Sequence, residues 1–227
     1  MRQTGQYILV ALLLAVGGRP VLAQGTPFSL TPYAGVYFPA ADLVGNQPVP
    51  NPGPLDPETF TIRQNSGFIF GLRASRGLTE KLWIEAEAQY AFSDADAAAT
   101  RREPFPQGPE QTLDAYVIAV GANVLWEAFR APFTPFAIHL LGGVGLVTRG
   151  GEFYDEGGTY FSESLDGGTD LGLILGLGLR YELSPRLGIR ADVRDYLYSH
   201  TGSVSNGEFE AETQNDIWIT GGLEFRL

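Results

Sequence analysis

Between Leu171 and Leu183 every second residue is large and apolar: Leu171, Leu173, Leu175, Leu177, Leu179, Tyr181 and Leu183. The residues between them, Gly172, Ile174, Gly176, Gly178, Arg180 and Glu182, are mostly small or charged. Successive side chains of a strand point to opposite faces, so this stretch predicts a strand with one oily and one polar face. The alternation recurs eight times, over 28–38, 67–76, 82–93, 112–126, 134–148, 169–183, 187–198 and 215–227. Most of these runs are long for a soluble sheet, and a tilted strand needs about 9–11 residues to cross a bilayer.

The links alternate in length. Gly77 to Lys81, Glu127 to Phe133 and Ser184 to Arg186 are short, whereas 39–66, 94–111, 149–168 and 199–214 are long and rich in Pro, Gly, Asp, Glu and Ser. Long and short links at alternate ends imply an up-and-down meander with four large loops on one side. Asn46 to Pro57 holds five prolines and reads as extended or disordered. The expected fold is all-β, an eight-stranded antiparallel up-and-down transmembrane β-barrel with its apolar face turned to lipid.

The apolar face would carry, for example, Phe68, Phe70 and Leu72, then Tyr116, Ile118, Val124 and Trp126, then Ile217, Ile219, Leu223 and Phe225. Only Arg76, Asp114 and Asp195 interrupt it, each near a strand end. A cation on the lipid face costs ~2–4 kcal/mol at mid-bilayer but ~0–1 near the interfaces, so that placement is tolerable. Phe28, Trp126, Phe136, Tyr181 and Phe225 gather at the short-turn ends, as an interfacial aromatic girdle would.

The opposite face carries Arg73, Glu85, Glu87, Gln89, His139, Arg180, Glu182, Arg190, Asp192, Arg194, Glu224 and Arg226. A hairpin centred on Thr79 would set Arg73 opposite Glu85. One centred on Pro185 would set Arg180 opposite Arg190, with Glu182 and Asp192 on the diagonals. The expected site is therefore a structural ion-pair network of Arg73, Glu85, Glu87, Arg180, Glu182, Arg190, Asp192 and Arg194. An eight-stranded barrel is only wide enough for its own side chains, which speaks against a wide pore.

Composition adds the compartment. Arg2, the apolar run Tyr7 to Val16 and the small residues of Val21-Leu22-Ala23 read as a secretory signal peptide over 1–23, too short to span as a helix. Residues 24–227 then form one β-barrel domain. Losing Arg2 and Arg19 with no acid takes the net charge from −11 to −13, which makes nucleic acid an unsuitable partner. With no Cys there is no disulfide framework, thiolate metal site or Cys nucleophile. No cofactor or metal is expected.

Three stretches, Phe28-Ser-Leu-Thr-Pro-Tyr-Ala-Gly-Val-Tyr-Phe38, the hairpin Gly71 to Ala88, and Ile217-Trp-Ile-Thr-Gly-Gly-Leu-Glu-Phe-Arg-Leu227, resemble the eight-stranded outer-membrane barrels of the OmpA N-terminal and OmpX type. The resemblance covers about 27–227. It implies residence in a bacterial outer membrane, contact with its lipid, and insertion by the barrel-assembly machinery, which reads a terminal aromatic. Here Leu227 is last, and Phe225 lies two before it on the same face. Such motifs mark architecture rather than activity.

Catalysis has few candidates. His200 could meet Thr201, Ser203 or Glu208 through a loop, but adjacent Ser199 faces the other way in a strand. His139 reads as a lumen residue paired with a carboxylate. Asp94, Asp96, Asp155, Glu156, Glu163 and Asp166 are suitable Ca²⁺ ligand types, but they lack the EF-hand spacing and read as solvated loop acids. The Gly-rich strands lack a Gly-Lys-Ser/Thr and a following helix, so no phosphate loop is expected. The expectation is a non-enzymatic barrel with a structural or surface-interaction role. A lipid-modifying barrel enzyme, a narrow channel and a secreted lipocalin-like binder are the alternatives.

Overall fold

The computed structural model describes residues 28–48, 59–100, 111–156, 168–200, 203–204, 207–208 and 212–227. In chain order the strands are β1 (Phe28–Pro39), β2 (Val44–Pro48), β3 (Thr59–Gln64), β4 (Gly67–Gly77), β5 (Leu82–Thr100), β6 (Gln111–Arg130), β7 (Phe136–Gly150), β8 (Thr169–Ser184), β9 (Leu187–His200), β10 (Ser203–Val204), β11 (Gly207–Glu208) and β12 (Glu212–Arg226). One short helix, α1 (Glu152–Glu156), follows β7. The signal-peptide expectation and the prolines beyond Pro48 lie outside the described residues.

Eight strands close a ring, β1-β4-β5-β6-β7-β8-β9-β12, each antiparallel to its neighbours, and β1 pairs with both β4 and β12. All eight alternating runs are present. The parity is the expected one: Leu171, Leu173, Leu175, Leu177 and Leu179 are 71% to 42% exposed, while Ile174 between them is fully buried. Exposed apolar residues wrap the outside, and the packed core, with Tyr37, Ile69, Val117, Ile174, Tyr196 and Trp218, fills the inside. The apolar outer face is the reverse of a soluble barrel's, and it follows from hydrocarbon being the outer solvent.

The short turns differ in detail from expectation. Thr79 Oγ1 accepts hydrogen bonds from the backbone N–H groups of Lys81 and Leu82 at 3.3 and 3.0 Å. This side-chain turn carries the hairpin centre one residue on, to Glu80. Arg73 therefore stands opposite Glu87, not Glu85, and Ser75 stands opposite Glu85. The turn after β8 uses the same device, Ser184 Oγ accepting from Arg186 and Leu187, and there Arg180 does face Arg190. The third turn is shifted as well. A bulge after Glu127 lets β6 run on to Arg130, so the link is 131–135 rather than Glu127 to Phe133.

Two of the long links are shorter than the alternation predicts. β5 and β6 rise past the ring and pair along Asp94–Ala97 with Gln111–Asp114. The β2–β3 hairpin, inside the expected 39–66 loop, adds onto the free edge of upper β5. Ala95 and Ala97 alternate with Asp94 and Asp96, so the strand pattern persists here, and apolar alanine is simply a weak marker of it. Gly151, with φ of 120°, turns the chain from β7 into α1. Phe153 and Tyr154 thereby pack on Leu43, Ile62, Ala95, Ala97 and Ala115, a second apolar cluster at the loop end.

Candidate functional site: the ion-paired barrel interior

Inward parity brings Glu85 and Glu87 from β5, Arg73 from β4 and Arg190, Asp192 and Arg194 from β9 to one level. They form a closed ring of six alternating charges. Arg73 reaches Glu87 (3.2 Å) and Asp192 (2.8 Å). Arg190 reaches Asp192 (2.8 Å) and Glu85. Arg194 reaches Glu85 and Glu87, both at 2.6 Å. Its contact with Glu87 is ionic rather than an aligned hydrogen bond. Each arginine touches at least two carboxylates and each carboxylate at least two arginines, and a longer Arg194–Asp192 contact (3.4 Å) crosses the ring. Charges taken out of water need this density of partners, because burial of an ion costs several kcal/mol before pairing.

Neutral groups saturate the remaining lone pairs. Ser75 donates to Glu85 (2.7 Å), and Asn123 and the Tyr196 hydroxyl donate to Glu87 (2.9 and 2.8 Å). His139 Nε2 lies 3.0 Å from Asp192 Oδ1. Arg73 also donates to Thr220 (2.9 Å) and stacks 3.8 Å over the Tyr33 ring. Gln89 links Tyr33 to Tyr196 across the barrel, accepting at 2.9 Å and donating at 2.7 Å. Glycine makes the room: a Cβ on Gly178 would collide with the His139 ring and Asp192.

Two further tiers are stacked with the ring. At the turn end Arg180 donates to Glu224 (2.7 Å), Arg226 contacts Glu224 and Glu182 (2.9 and 3.0 Å), and Arg130 contacts Glu127 and Glu182 (2.6 and 3.1 Å). At the loop end Arg149 meets Asp216 (3.1 Å) and Tyr198, whose hydroxyl donates to Asp216 (2.5 Å). Gln64 accepts there from Arg149 (2.9 Å) and from Tyr154 of α1 (3.0 Å). Burial pushes the Tyr154 phenol above its ordinary range. Every tier is balanced: three cations with three carboxylates at the turn end, three with three in the ring, one with one at the loop end.

Of the eight residues expected to form one network, six make the ring. Arg180 and Glu182 do not join it. They lie one tier lower, where Glu224 and Arg226 of β12 are within reach and Asp192 is not their partner. Sequence reasoning missed Arg149, Asp216 and Gln64. Asp216 lies within the expected 215–227 run and shares the inward parity of Trp218 and Thr220, so it was readable as it stood; Arg149 shares that of Val147 and was readable had the 134–148 run been extended by one residue. Tyr154 had no such signal, since a one-turn helix brings it in.

Ser199 is exposed at the loop end of β9. His200, Ser203, Glu208, Asp155 and Glu156 are described only as backbone, and Thr201, Glu163 and Asp166 lie outside the described residues. Asp94 and Asp114 face each other on the outer wall, over a cleft of about 390 Å³ with Tyr90, Phe92 and Tyr116 below.

Comparison with known proteins places this architecture. OprG from Pseudomonas aeruginosa superposes with a TM-score of 0.62 at 13% identity, over 89% of this chain and 96% of that one. Neisserial surface protein A gives 0.53 at 12%, over 90% and 100%. AlkL, determined in lipid bilayers, gives 0.52 at 13%, over 90% of each chain. Identities this low show the shared fold alone. A search of curated protein sequences finds no match. The family model described as the outer membrane protein beta-barrel domain matches residues 9–221, and the chain belongs to that family.

Proposed function

We propose that this protein is a non-catalytic barrel of the bacterial outer membrane, with a sealed lumen, whose loop end is its interacting surface. The observation that carries the reading is the six-charge ring. It joins β4, β5 and β9 across the interior with side chains 0–1% exposed, between two further neutral tiers. An ion entering would have to displace partners from desolvated charges, and no compensating hydration awaits it. The same packing leaves no free carboxylate or imidazole in the ring to serve as a base, since Glu85, Glu87 and Asp192 are each held by at least two arginines.

In this reading the four long links face outside and the short turns face the periplasm, as is usual for such barrels. Export proceeds through the 1–23 signal, with Gln24 as the mature N-terminus. Planar-bilayer recording is the test. The wild-type barrel should show no conductance steps, and the double variant Arg194→Ala/Glu87→Ala should show them, because it empties one diameter of the ring. Steady wild-type conductance would refute the seal. Outer-membrane fractionation, heat-modifiable gel migration and N-terminal sequencing test compartment and processing separately.

A further inference from the structure

One pair of charges on the outer wall runs against the ordinary preferences of strand pairing. Asp94 of β5 lies directly opposite Asp114 of β6, and both side chains are exposed. Like charges directly opposite one another destabilise a ladder. Asp96, two residues further up β5, is partnered: it accepts from Thr112 (2.6 Å) and Asn65 (2.9 Å). Among the described residues no ion pair or side-chain hydrogen bond reaches the carboxylate of Asp94 or Asp114. Arg63, opposite Asp96 on β3, gives its guanidinium to Asp42 at 2.7 Å. The pair therefore holds two negative charges that no described cation answers.

Beneath the pair the wall is concave and aromatic. The cleft of about 390 Å³ is lined by both aspartates, by Tyr90, Phe92 and Tyr116, and by the turn at Gly151. Tyr90 stacks on Tyr116 with ring centroids 5.4 Å apart and meets Phe92 edge-on at 4.8 Å. Phe70 of β4 packs on both Tyr90 and Phe92 at 5.7 Å, and exposed Leu72 continues this surface toward the middle of the wall. Tyr116 leans across Gly150, where a Cβ would collide with its ring and hydroxyl. The rings are thus fixed by one another and by the space that glycine leaves.

We propose that this cleft binds a cationic amphiphile, its ammonium head between Asp94 and Asp114 and its hydrocarbon chain over Tyr90, Phe92 and Phe70. Two unanswered carboxylates select net positive charge. Aromatic faces attract an organic cation through the ring quadrupole, and their apolar area suits a chain. A calcium ion takes about 6–8 oxygen ligands, and the described residues hold no cluster of three metal-ligating side chains. A zwitterionic phospholipid would bring its phosphate into the same negative field. The inference deepens the reading of the loop end as the interacting surface, and it does not depend on the sealed lumen.

Native mass spectrometry of the folded full-length protein, released from dodecyl maltoside micelles, tests it. Dodecyltrimethylammonium and dodecylphosphocholine are added at equal concentration, with magnesium chloride in a parallel sample; the two amphiphiles share a chain and differ in head charge. Wild type should retain one dodecyltrimethylammonium about 10-fold in preference. Asp94→Asn and Asp114→Asn should each cut that preference about 3-fold, and the double variant should bring it near parity. Tyr116→Leu, which keeps apolar area but loses the ring face, should cut it about 3-fold. Glu80→Gln, an exposed acid at the turn end, should behave as wild type. Without ligand the double Asn variant should unfold at the wild-type temperature or higher, because a like-charge pair is relieved. Equal retention of both amphiphiles by wild type, an unchanged preference in the double variant, a lowered unfolding temperature in that variant, or a magnesium ion retained in place of the ammonium would overturn the assignment. Conductance recording reports the seal independently, so either reading can fail without the other.

Discussion

Arg194 and Glu87 meet across a full diameter of the barrel. Their strands, β9 and β5, stand four apart in a ring of eight, yet the side chains close to 2.6 Å. One arginine and one glutamate, reaching toward each other, bridge the interior. That single span explains why the lumen charges can be desolvated at all: the wall is narrow enough for one side chain to reach a partner opposite.

Removing one member of the ring should cost more than removing a matched pair. Arg194→Met strands Glu85 and Glu87 with one arginine each, and is expected to lower stability by about 3–5 kcal/mol. Arg194→Met/Glu87→Gln restores charge balance within the ring and should recover at least about 1 kcal/mol relative to the sum of the singles. Urea unfolding from lipid vesicles measures both. Strict additivity would show that Arg194 and Glu87 are not energetically coupled.

The β8 face offers a depth gauge. Leu177→Arg, in the middle of the exposed leucine row, should destabilise by about 2–4 kcal/mol, and Leu183→Arg, at the turn end, by about 0–1. Folding titrations into vesicles distinguish them. Equal penalties would mean that the apolar belt does not coincide with the bilayer.

Two glycines separate packing from exposure. A Cβ on Gly143 would run into the Asn123 side chain and the Ala122 carbonyl, both fixed. Gly143→Ala should therefore cost about 1–3 kcal/mol, as overpacking does. Gly221 faces outward, and a methyl group added there would meet nothing within 4 Å, so Gly221→Ala should leave the unfolding midpoint unchanged or slightly raised.

Tyr154 anchors α1 through its 3.0 Å bond to Gln64. Tyr154→Phe should loosen α1 by about 0.5–1.5 kcal/mol, read by hydrogen exchange of the 152–156 amides, while global unfolding stays put. Burial favours the neutral phenol, so this contribution is complete below pH ~10 and lost only as alkali forces ionisation. An alkaline titration followed by phenolate absorbance should accordingly show no difference between wild type and Tyr154→Phe around pH ~10. A missing phenolate at that pH in the variant would sink the buried-phenol account.

The strand pattern was legible because its causes are local. Alternation is dictated by backbone geometry, so Leu171 to Leu183, read alone, yields a strand, its two faces and its length. Eight such runs with links of alternating length yield the meander. Where apolar residues are weak markers, as at Ala95, Ala97 and Ala99, the strand ran on past the point where its pattern could be read. The Arg180–Arg190 register held because a bulge between Glu182 and Ser184 takes up the one-residue offset of the Ser184 turn. The Arg73–Glu85 register failed because one hydroxyl, Thr79 Oγ1, selects the turn.

The amino-acid order by itself determined which side chains face inward and that they include matched arginines and carboxylates. Only ring closure decided who pairs with whom. Curling the sheet until β1 met β12 brought β9 opposite β5 and separated Arg180 and Glu182 from the ring by one tier. Parity is a property of one strand, whereas a diameter is a property of all eight, and long-range Coulomb partners are chosen by the latter.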